Sequence, residues 1–192
     1  MLKRICMVAA FVILASGMAF GQELSIDNEQ GARHLSEGDV YVHGRLALGA
    51  VYGANVGFVA GGEYGLKEGF LNLGDFPASL GVGASLGYSS YTESYLFGEW
   101  NYTNILLLGS VYYHADVLDA EEIDTYVVLN LGLNIGSVSW EGSGTRDYGD
   151  SYGGIVAGSG LGARYFLSDN LAVTGEVGFG MGLLRLGIDL GI

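Results

Sequence analysis

Six ionisable side chains of both signs lie in segments where apolar residues alternate with polar ones or glycine. They are Arg45, Glu63, Arg164, Glu176, Arg185 and Asp189. Their face of each segment is otherwise mostly glycine, so we expect it to point inward rather than to water. Charges inside a protein are costly unless they are paired. The prediction is a network of ion pairs that plugs and stiffens the fold. The alternative is a set of pairs that exchange partners and gate a small conduit.

Turn geometry predicts which of these charges meet. A three-residue hairpin between the first two segments would place Arg45 directly opposite Glu63. A two-residue hairpin at 180–181 would place Glu176 opposite Arg185. Both pairs would then be cross-strand neighbours, with their Cβ atoms about 5 Å apart.

Nucleophilic catalysis needs a serine, a histidine and an acid within hydrogen-bond reach of one another. Ser110 and His114 share one face of their segment, and the other two histidines are His34 and His43. We interpret Ser110 and His114 as a pair that lines the interior, and we predict no enzyme and no cofactor.

Two acidic clusters raise the question of calcium. The first lies in the region before the first alternating segment, and the second spans residues 116–124. Their acidic members are Glu23, Asp27, Glu29, Glu37, Asp39, Asp116, Asp119, Glu121, Glu122 and Asp124. Neither has the central glycine and the distal bidentate glutamate of a calcium loop. We predict solvated acidic turns and no metal, with weak calcium binding as the alternative. The formal net charge of −13 also argues against nucleic acid, which needs clustered Lys and Arg.

The elements that must position the charges are eight segments that alternate with a period of two after Asp39. The last segment is the clearest, because every second residue is apolar up to the C-terminus. These residues are Leu184, Leu186, Ile188, Leu190 and Ile192. Segment four is the least clear, because residues 105–108 are all apolar. The last segment must close against the first, which brings Asp189 near His43 and Arg45.

A soluble sandwich or periplasmic barrel would also alternate, but its apolar face would form a core. Here the other face is mostly glycine, which is too small for a solvated exterior and suits a narrow interior. Eight strands enclose just enough space for side chains, and in lipid the sheet must close so that no backbone group lacks a partner. We predict an all-β fold, an eight-stranded antiparallel transmembrane β-barrel with up-and-down meander topology.

The N-terminal residues are typical of an export signal. Lys3 and Arg4 precede an apolar run, and small residues follow before a cleavage site at Gly21. The expected organisation is a signal peptide at 1–21, an acidic leader at 22–38 and the barrel at 39–192. Cys6 then lies in the removed segment, and the expected location is the bacterial outer membrane.

Two links between segments have the composition of surface loops. One runs from 136 to 152 and carries Trp140, Tyr148 and Tyr152, which we take as candidates for contact with a surface partner. The other spans 89–94. If both termini lie in the periplasm, these two links face the outside. The alternative is that the longer loop is merely mobile and polar.

The strand–turn–strand segment 160–173 (GLGARYFLSDNLAV) and the strand start at 124–132 (DTYVVLNLG) resemble the porin-like outer-membrane β-barrel family, which includes small OmpA- and OmpX-type barrels. The resemblance covers residues 39–192. It implies a C-terminal strand that is read by the outer-membrane assembly machinery, although the family usually ends in an aromatic residue and this chain ends in Ile192. Lipid-modifying enzymes of the same architecture place a histidine and a serine near the outer side, whereas none of the three histidines of this chain is expected in an outer loop.

Members of the family include tethers, adhesins, pores and enzymes, so the architecture does not fix the role. The main hypothesis is a non-enzymatic outer-membrane protein with a structural or surface-contact role. The alternative is a small solute or ion pore gated by the internal charge pairs, and a lipid-modifying enzyme is the third. The expected partners are outer-membrane lipid, lipopolysaccharide and the assembly machinery, and we expect a monomer.

Overall fold

The computed structural model describes residues 35–71, 77–115, 117–118, 120–142 and 148–192. The predicted signal peptide and most of the predicted leader lie outside these ranges. The eight predicted segments all form strands. They are β1 (Val40–Val51), β2 (Ala54–Glu68), β3 (Ala78–Tyr95), β4 (Gly98–Ala115), β5 (Ile123–Gly142), β6 (Tyr148–Ser168), β7 (Leu171–Phe179) and β8 (Leu184–Gly191).

Each strand pairs with the next in antiparallel fashion, and β8 pairs with β1 to close the barrel. The closing register runs from Tyr41 opposite Gly191 to Leu48 opposite Leu184. The predicted all-β, eight-stranded, up-and-down barrel is therefore confirmed. No helix among the described residues is long and apolar enough to cross a membrane.

Side chains alternate in and out along every strand, with the parity that the period of two predicts. Segment four follows the same rule. Leu106 and Leu108 are buried inside the barrel, whereas Ile105 and Leu107 are 45 % and 41 % exposed on the outside. The sequence pattern is ambiguous at 105–108 because the inward residues there are apolar as well as the outward ones.

The first hairpin differs from the predicted one. Its turn consists of Tyr52 and Gly53, whose φ angles of 50° and 90° are both left-handed. Two-residue hairpin turns with positive φ at both positions match the twist of the flanking strands. The chain therefore reverses earlier than predicted, and a bulge between Leu48 and Val51 shifts the register further.

As a result Arg45 lies opposite Val59, and Glu63 lies opposite Tyr41. The predicted cross-strand pair of Arg45 with Glu63 is wrong. The prediction for the last hairpin holds, because Glu176 lies opposite Arg185, although four residues rather than two separate β7 from β8.

The predicted surface loops at 89–94 and 136–152 are mostly strand. Gly136 pairs with Tyr152 and Trp140 pairs with Tyr148, so only residues 143–147, which lie outside the described ranges, separate β5 from β6. Likewise β3 continues to Tyr95. These stretches keep the period of two but lose their apolar outer face, which is why their composition indicates loops.

The strands differ in length accordingly. β3 to β6 contain 18 to 21 residues, whereas β1, β2, β7 and β8 contain 8 to 15. Pairing of β3 with β2 ends at Ser89, and pairing of β6 with β7 ends at Ser159. The four long strands therefore extend past their neighbours at one end of the barrel. We call residues 89–104, 136–142 and 148–154 the projecting sheet.

The interior is layered along the barrel axis. On β1 the buried residues run from Tyr41 through Arg45 to Ala47, and on β6 from Phe166 through Arg164 to Val156. The two terminal members of each series belong to separate apolar clusters. The upper cluster, toward the projecting sheet, consists of Ala47, Val51, Val59, Leu106, Leu108, Val156 and Met181. The lower cluster consists of Leu35, Tyr41, Phe166 and Ala172.

Candidate functional site

Arg164 is the centre of a charge network that fills the middle layer. Its Nη2 donates to Glu63 at 2.7 Å, its Nη1 to Asp124 at 3.1 Å and its Nε to Asp189 at 2.9 Å. Its guanidinium also lies 4.7 Å from the ring centroid of Tyr41. The side chain is fully buried. One guanidinium on β6 therefore ties together carboxylates from β2, β5 and β8.

A second group of contacts joins the first strand to the last two. Arg45 on β1 donates to Glu176 at 2.8 Å and to Asp189 at 3.1 Å. Arg185 forms an ion pair with Glu176, its cross-strand neighbour. Asp189 thus receives both Arg45 and Arg164. The structure places all six predicted charges on the inner face and connects them into one network.

His114 and Asp124 complete the network and were not predicted as members of it. The Nε2 atom of His114 lies 2.6 Å from a Glu63 oxygen, and its Nδ1 atom lies 2.8 Å from Asp124. Both ring nitrogens face carboxylates, and a histidine donates from both nitrogens only as the imidazolium. The alternation along β5 could have predicted the inward position of Asp124, because this residue lies on the same face as Tyr126.

The charges of this layer balance. Three arginines and the His114 imidazolium carry four positive charges, and Glu63, Asp124, Glu176 and Asp189 carry four negative ones. Balanced, hydrogen-bonded charges are the arrangement in which burial of ions is tolerated. The network uses side chains from every strand except β3. On β3, Ser85 lies 3.3 Å from Nε2 of His43.

Glycines on β6 make room for these large side chains. A Cβ atom at Gly160 would collide with the Glu176 carboxylate and lie 2.6 Å from Nη2 of Arg185. A Cβ atom at Gly162 would collide with the ring of Tyr126. Glycine is therefore required at these positions by close approach.

The serine and histidine considered for catalysis do not come together. The Ser110 hydroxyl donates to Oδ1 of Asn130 at 2.7 Å. Both nitrogens of His114 are already engaged by carboxylates. Ser110 and His114 therefore have separate partners, each inside the closed barrel.

The second acidic cluster is divided by the structure. Asp124 points into the barrel, whereas Glu121 and Glu122 are exposed. Asp116 and Asp119 lie outside the described residues, as do the first three acids of the leader. Within the described ranges no group of three or more histidine, cysteine or acidic side chains is arranged to hold a metal ion.

The outer face of the barrel carries the apolar residues, which we call the apolar belt. Each strand contributes outward apolar side chains that are 40 % to 80 % exposed. Examples, one from each strand in order, are Val42, Phe58, Leu86, Leu107, Leu131, Ile155, Val173 and Ile188. The belt includes Ile188 and Leu190 of the predicted assembly signal, while Leu184 and Leu186 are half-buried and Ile192 is exposed just beyond β8.

The belt ends abruptly at the projecting sheet. Tyr88, Ile105 and Ile135 form one cross-strand row of outward residues. The next outward row along the same strands is Ser90, Thr103, Ser137 and Ser151. The outer face therefore changes from apolar to hydroxyl-bearing within a single step of two residues.

The inner face changes in the opposite sense. Two cross-strand rows of the projecting sheet lie on this face. The first is Glu93, Trp100, Trp140 and Tyr148, and the second is Tyr91, Tyr102, Val138 and Asp150. Aromatic side chains thus occupy the face that carries glycine and charge within the barrel.

Two of the three predicted contact residues belong to the first row, and Tyr152 lies in the inward row next to the second one, opposite Gly136. The ring centroids of Trp100 and Trp140 are 5.1 Å apart, and those of Trp100 and Tyr148 are 5.6 Å apart and nearly perpendicular. Tyr152 donates to Oδ1 of Asn104 at 2.8 Å. Trp140, Tyr148 and Tyr152 are therefore fixed on a sheet rather than carried on a loop.

Tyr91 and Tyr102 form the second aromatic pair, which was not predicted. Their rings stack at 4.5 Å with an interplanar angle of 5°. Tyr91 also packs against the turn of the first hairpin, since a Cβ atom at Gly53 would lie 2.6 Å from its ring. Partial burial raises the pKa of the Tyr91 phenol above its usual value of 10.0, with the nearby Tyr152 contributing.

No protein-family model and no curated protein matches the sequence. Among solved structures, the N-terminal β-barrel domain of Pseudomonas aeruginosa OprF is similar at 15 % identity, over 85 % of this chain and 100 % of that one, with a TM-score of 0.48. A structure from the de novo design of transmembrane β-barrels matches at 20 % identity, over 82 % and 98 %, with a TM-score of 0.44. Ail, the attachment invasion locus protein of Yersinia pestis, matches at 13 % identity, over 81 % and 95 %, with a TM-score of 0.44.

Proposed function

We propose that this chain is an integral protein of the bacterial outer membrane, with a non-enzymatic structural and surface-contact role. The barrel would span the membrane, and the projecting sheet would stand in water on the outside. The observation that carries this proposal is the abrupt end of the apolar belt between the Ile135 row and the Ser137 row. A protein surrounded by water has no reason to change its outer face at one level on neighbouring strands.

The height of the belt supports a membrane location. On β5 the outward apolar residues run from Val127 to Ile135. Eight steps of about 3.4 Å give roughly 27 Å along the strand, or about 20 Å along the membrane normal at a tilt of ~40°. This approaches the apolar band of about 25 Å in outer-membrane barrels.

The expected export signal and the short turn at 169–170 support an orientation with both termini in the periplasm. In that orientation the belt would contact lipid acyl chains, and the base of the projecting sheet would lie at the level of lipopolysaccharide. Leu184, Leu186, Ile188, Leu190 and Ile192 would serve as the signal for the assembly machinery. Because lipid can cover the whole belt, we propose a monomer.

The middle layer supports a closed barrel rather than a gated conduit. Its charges are buried, mutually paired and lie between two apolar clusters. A conducting path would have to break ion pairs and hydrate both apolar clusters. In planar bilayers we expect no conductance from the wild-type barrel or from Glu176→Gln. Discrete conductance that changes in Glu176→Gln would favour the gated pore instead.

The proposal is tested by fractionation of cells that express the full chain. We expect the protein in the outer-membrane fraction, with an unheated form that migrates differently from the boiled form on a denaturing gel. This shift reports a closed barrel that resists detergent. A mature protein that remains a compact monomer in buffer without detergent would contradict the proposal, because its apolar belt would have to be buried.

A further inference from the structure

The inner face of the projecting sheet combines aromatic rings with carboxylates at its edges. Five rings, those of Tyr91, Trp100, Tyr102, Trp140 and Tyr148, occupy two adjacent cross-strand rows. Glu93 ends the first row on β3, and Asp150 ends the second row on β6. Both carboxylates are exposed.

Neighbouring groups hold these two carboxylates in place. Glu93 accepts a hydrogen bond from the Tyr95 hydroxyl at 3.3 Å. Asp150 accepts one from the Tyr148 hydroxyl at 3.4 Å and one from its neighbour's backbone nitrogen, that of Ser151, at 2.8 Å. Each keeps free acceptor capacity, because an ionised carboxylate offers about four lone-pair sites.

The charge of this region has one sign. The described residues of the projecting sheet include Glu93, Glu99, Glu141 and Asp150 and contain no Lys or Arg. The connecting residues 143–147 add one Arg and one Asp to the sequence, which leaves the balance unchanged. A polyanionic sugar would meet net repulsion here, whereas a cation would be attracted.

We propose that this face binds a basic, extended peptide segment of a partner protein. Lys or Arg side chains would lie against the faces of the tryptophan and tyrosine rings, where the ring quadrupole attracts cations. Glu93 and Asp150 would pair with basic groups at the two edges. This inference rests on the proposed function, because the projecting sheet must stand in water outside the membrane.

The spacing of the two carboxylates favours a peptide over a small organic cation. They lie on β3 and β6, which are three strand spacings apart, or roughly 14 Å at about 4.8 Å per spacing. A single ammonium group cannot reach both. An extended chain at about 3.3 Å per residue covers that distance in about four residues.

Intrinsic fluorescence provides a direct test. The full chain has two tryptophans, Trp100 and Trp140, and both lie on this face. The folded protein in detergent micelles is titrated with an oligo-arginine peptide while its tryptophan emission is recorded. We expect a saturable change in emission, with no such change for oligo-glutamate or for a sulfated sugar.

Two double variants distinguish binding at a defined site from attraction by the net negative charge of the projecting sheet. Glu93→Gln with Asp150→Asn removes the carboxylates of the inner face. Glu99→Gln with Glu141→Gln removes the same number from the outer face of β4 and β5, the two strands between β3 and β6, where these two residues lie opposite each other. We expect about tenfold weaker binding for the first variant and less than about twofold for the second, since exposed ion pairs contribute little unless they are positioned.

Three results would overturn the inference. They are the absence of a saturable change, equal weakening in both double variants, or binding of free arginine as tight as that of the peptide. The same preparations are checked for heat-modifiable migration and for insertion into lipid vesicles. A barrel that inserts but gives no peptide response contradicts this inference alone, whereas failure to insert contradicts the proposed function.

Discussion

Strands β3 to β6 run from the eight-stranded barrel wall into the projecting sheet with the same period of two, yet the two regions carry their apolar residues on opposite faces. Along β5, Leu131 points outward and Asn130 inward in the wall, whereas Ser139 points outward and Trp140 inward in the projecting sheet. The backbone pairing is continuous across the boundary. What changes is the type of residue on each face, so strand geometry alone does not decide which face is apolar.

The two regions also differ in how they are held together. The wall encloses a network of buried, mutually paired charges, and removal of one member leaves its partners as uncompensated ions. The projecting sheet depends on backbone pairing and on contacts between aromatic side chains that are mostly half-buried. Substitutions in the wall should therefore affect stability strongly, and matched substitutions in the projecting sheet should affect it weakly.

The largest effect is expected for Arg164→Ala. It leaves Glu63, Asp124 and Asp189 without their shared cation, and removal of one partner from a buried ion network costs about 3–5 kcal/mol. The free energy of unfolding is measured in urea with the protein in lipid vesicles. Lys67→Ala, at an exposed position at the end of β2, is the control and should change it by less than ~0.5 kcal/mol. Equal effects of the two variants would show that the network does not stabilise the barrel.

Leu131→Arg and Ser139→Arg introduce the same charge on the same face of β5 at two levels. Leu131 lies at the centre of the belt on this strand and is 63 % exposed. We expect Leu131→Arg to lower the free energy of unfolding by about 2–4 kcal/mol, the cost of an arginine near the bilayer midplane. Ser139→Arg should be nearly neutral by the same urea measurement. A neutral Leu131→Arg would mean that acyl chains do not surround the belt.

Gly160→Ala tests the crowding inside the wall. Its methyl group must displace the Glu176 carboxylate or Arg185, and such overpacking costs about 1–3 kcal/mol. Gly154→Ala is the matched control in the projecting sheet, where a Cβ atom has no neighbour within 4 Å. The two variants are compared by their melting temperatures in the same detergent, which are measured from heat-modifiable migration. An unchanged melting temperature of Gly160→Ala would show that the charge network can make room for a methyl group without loss of stability.

The smallest effect on stability is expected for Trp100→Ala. Aromatic pairs contribute about 0.5–1.5 kcal/mol, and the contacts of Trp100 with Trp140 and Tyr148 lie beyond the wall. The unfolding free energy of the barrel should therefore fall by no more than about 1.5 kcal/mol. A loss comparable with that of Arg164→Ala would mean that the projecting sheet and the wall unfold as one unit.

The number of strands and the direction of their side chains could be predicted because a strand crossing a membrane needs a strict period of two. Even β4 follows the rule. The inward position of the six predicted charges follows from parity alone. The register of the first hairpin, which places Arg45 opposite Val59 rather than Glu63, could not be predicted, because it depends on a left-handed Tyr52, a conformation that non-glycine residues rarely adopt.

The roles of His114 and Asp124 were missed for a different reason. Asp124 comes shortly after two exposed acidic residues, so the composition of this stretch suggests a solvated turn. Asp124 is nevertheless two residues from Tyr126 on β5 and therefore points to the same, inner face. The projecting sheet was missed because its outer face is polar. Strands that continue beyond the apolar belt lose their apolar outer face but keep the period of two. On β5 this period is still visible in the alternation of Val138 and Trp140 with serines.

Site-specific labelling on β5 tests whether the apolar belt faces acyl chains while the projecting sheet faces water. Leu131→Cys and Ser139→Cys are expressed separately, and intact cells are treated with a membrane-impermeant maleimide, with the unsubstituted protein as the control for Cys6. We expect rapid labelling of Ser139→Cys and none of Leu131→Cys until the membrane is dissolved and the barrel unfolded. Equal labelling of both cysteines in intact cells would contradict it, because the apolar belt would then face water.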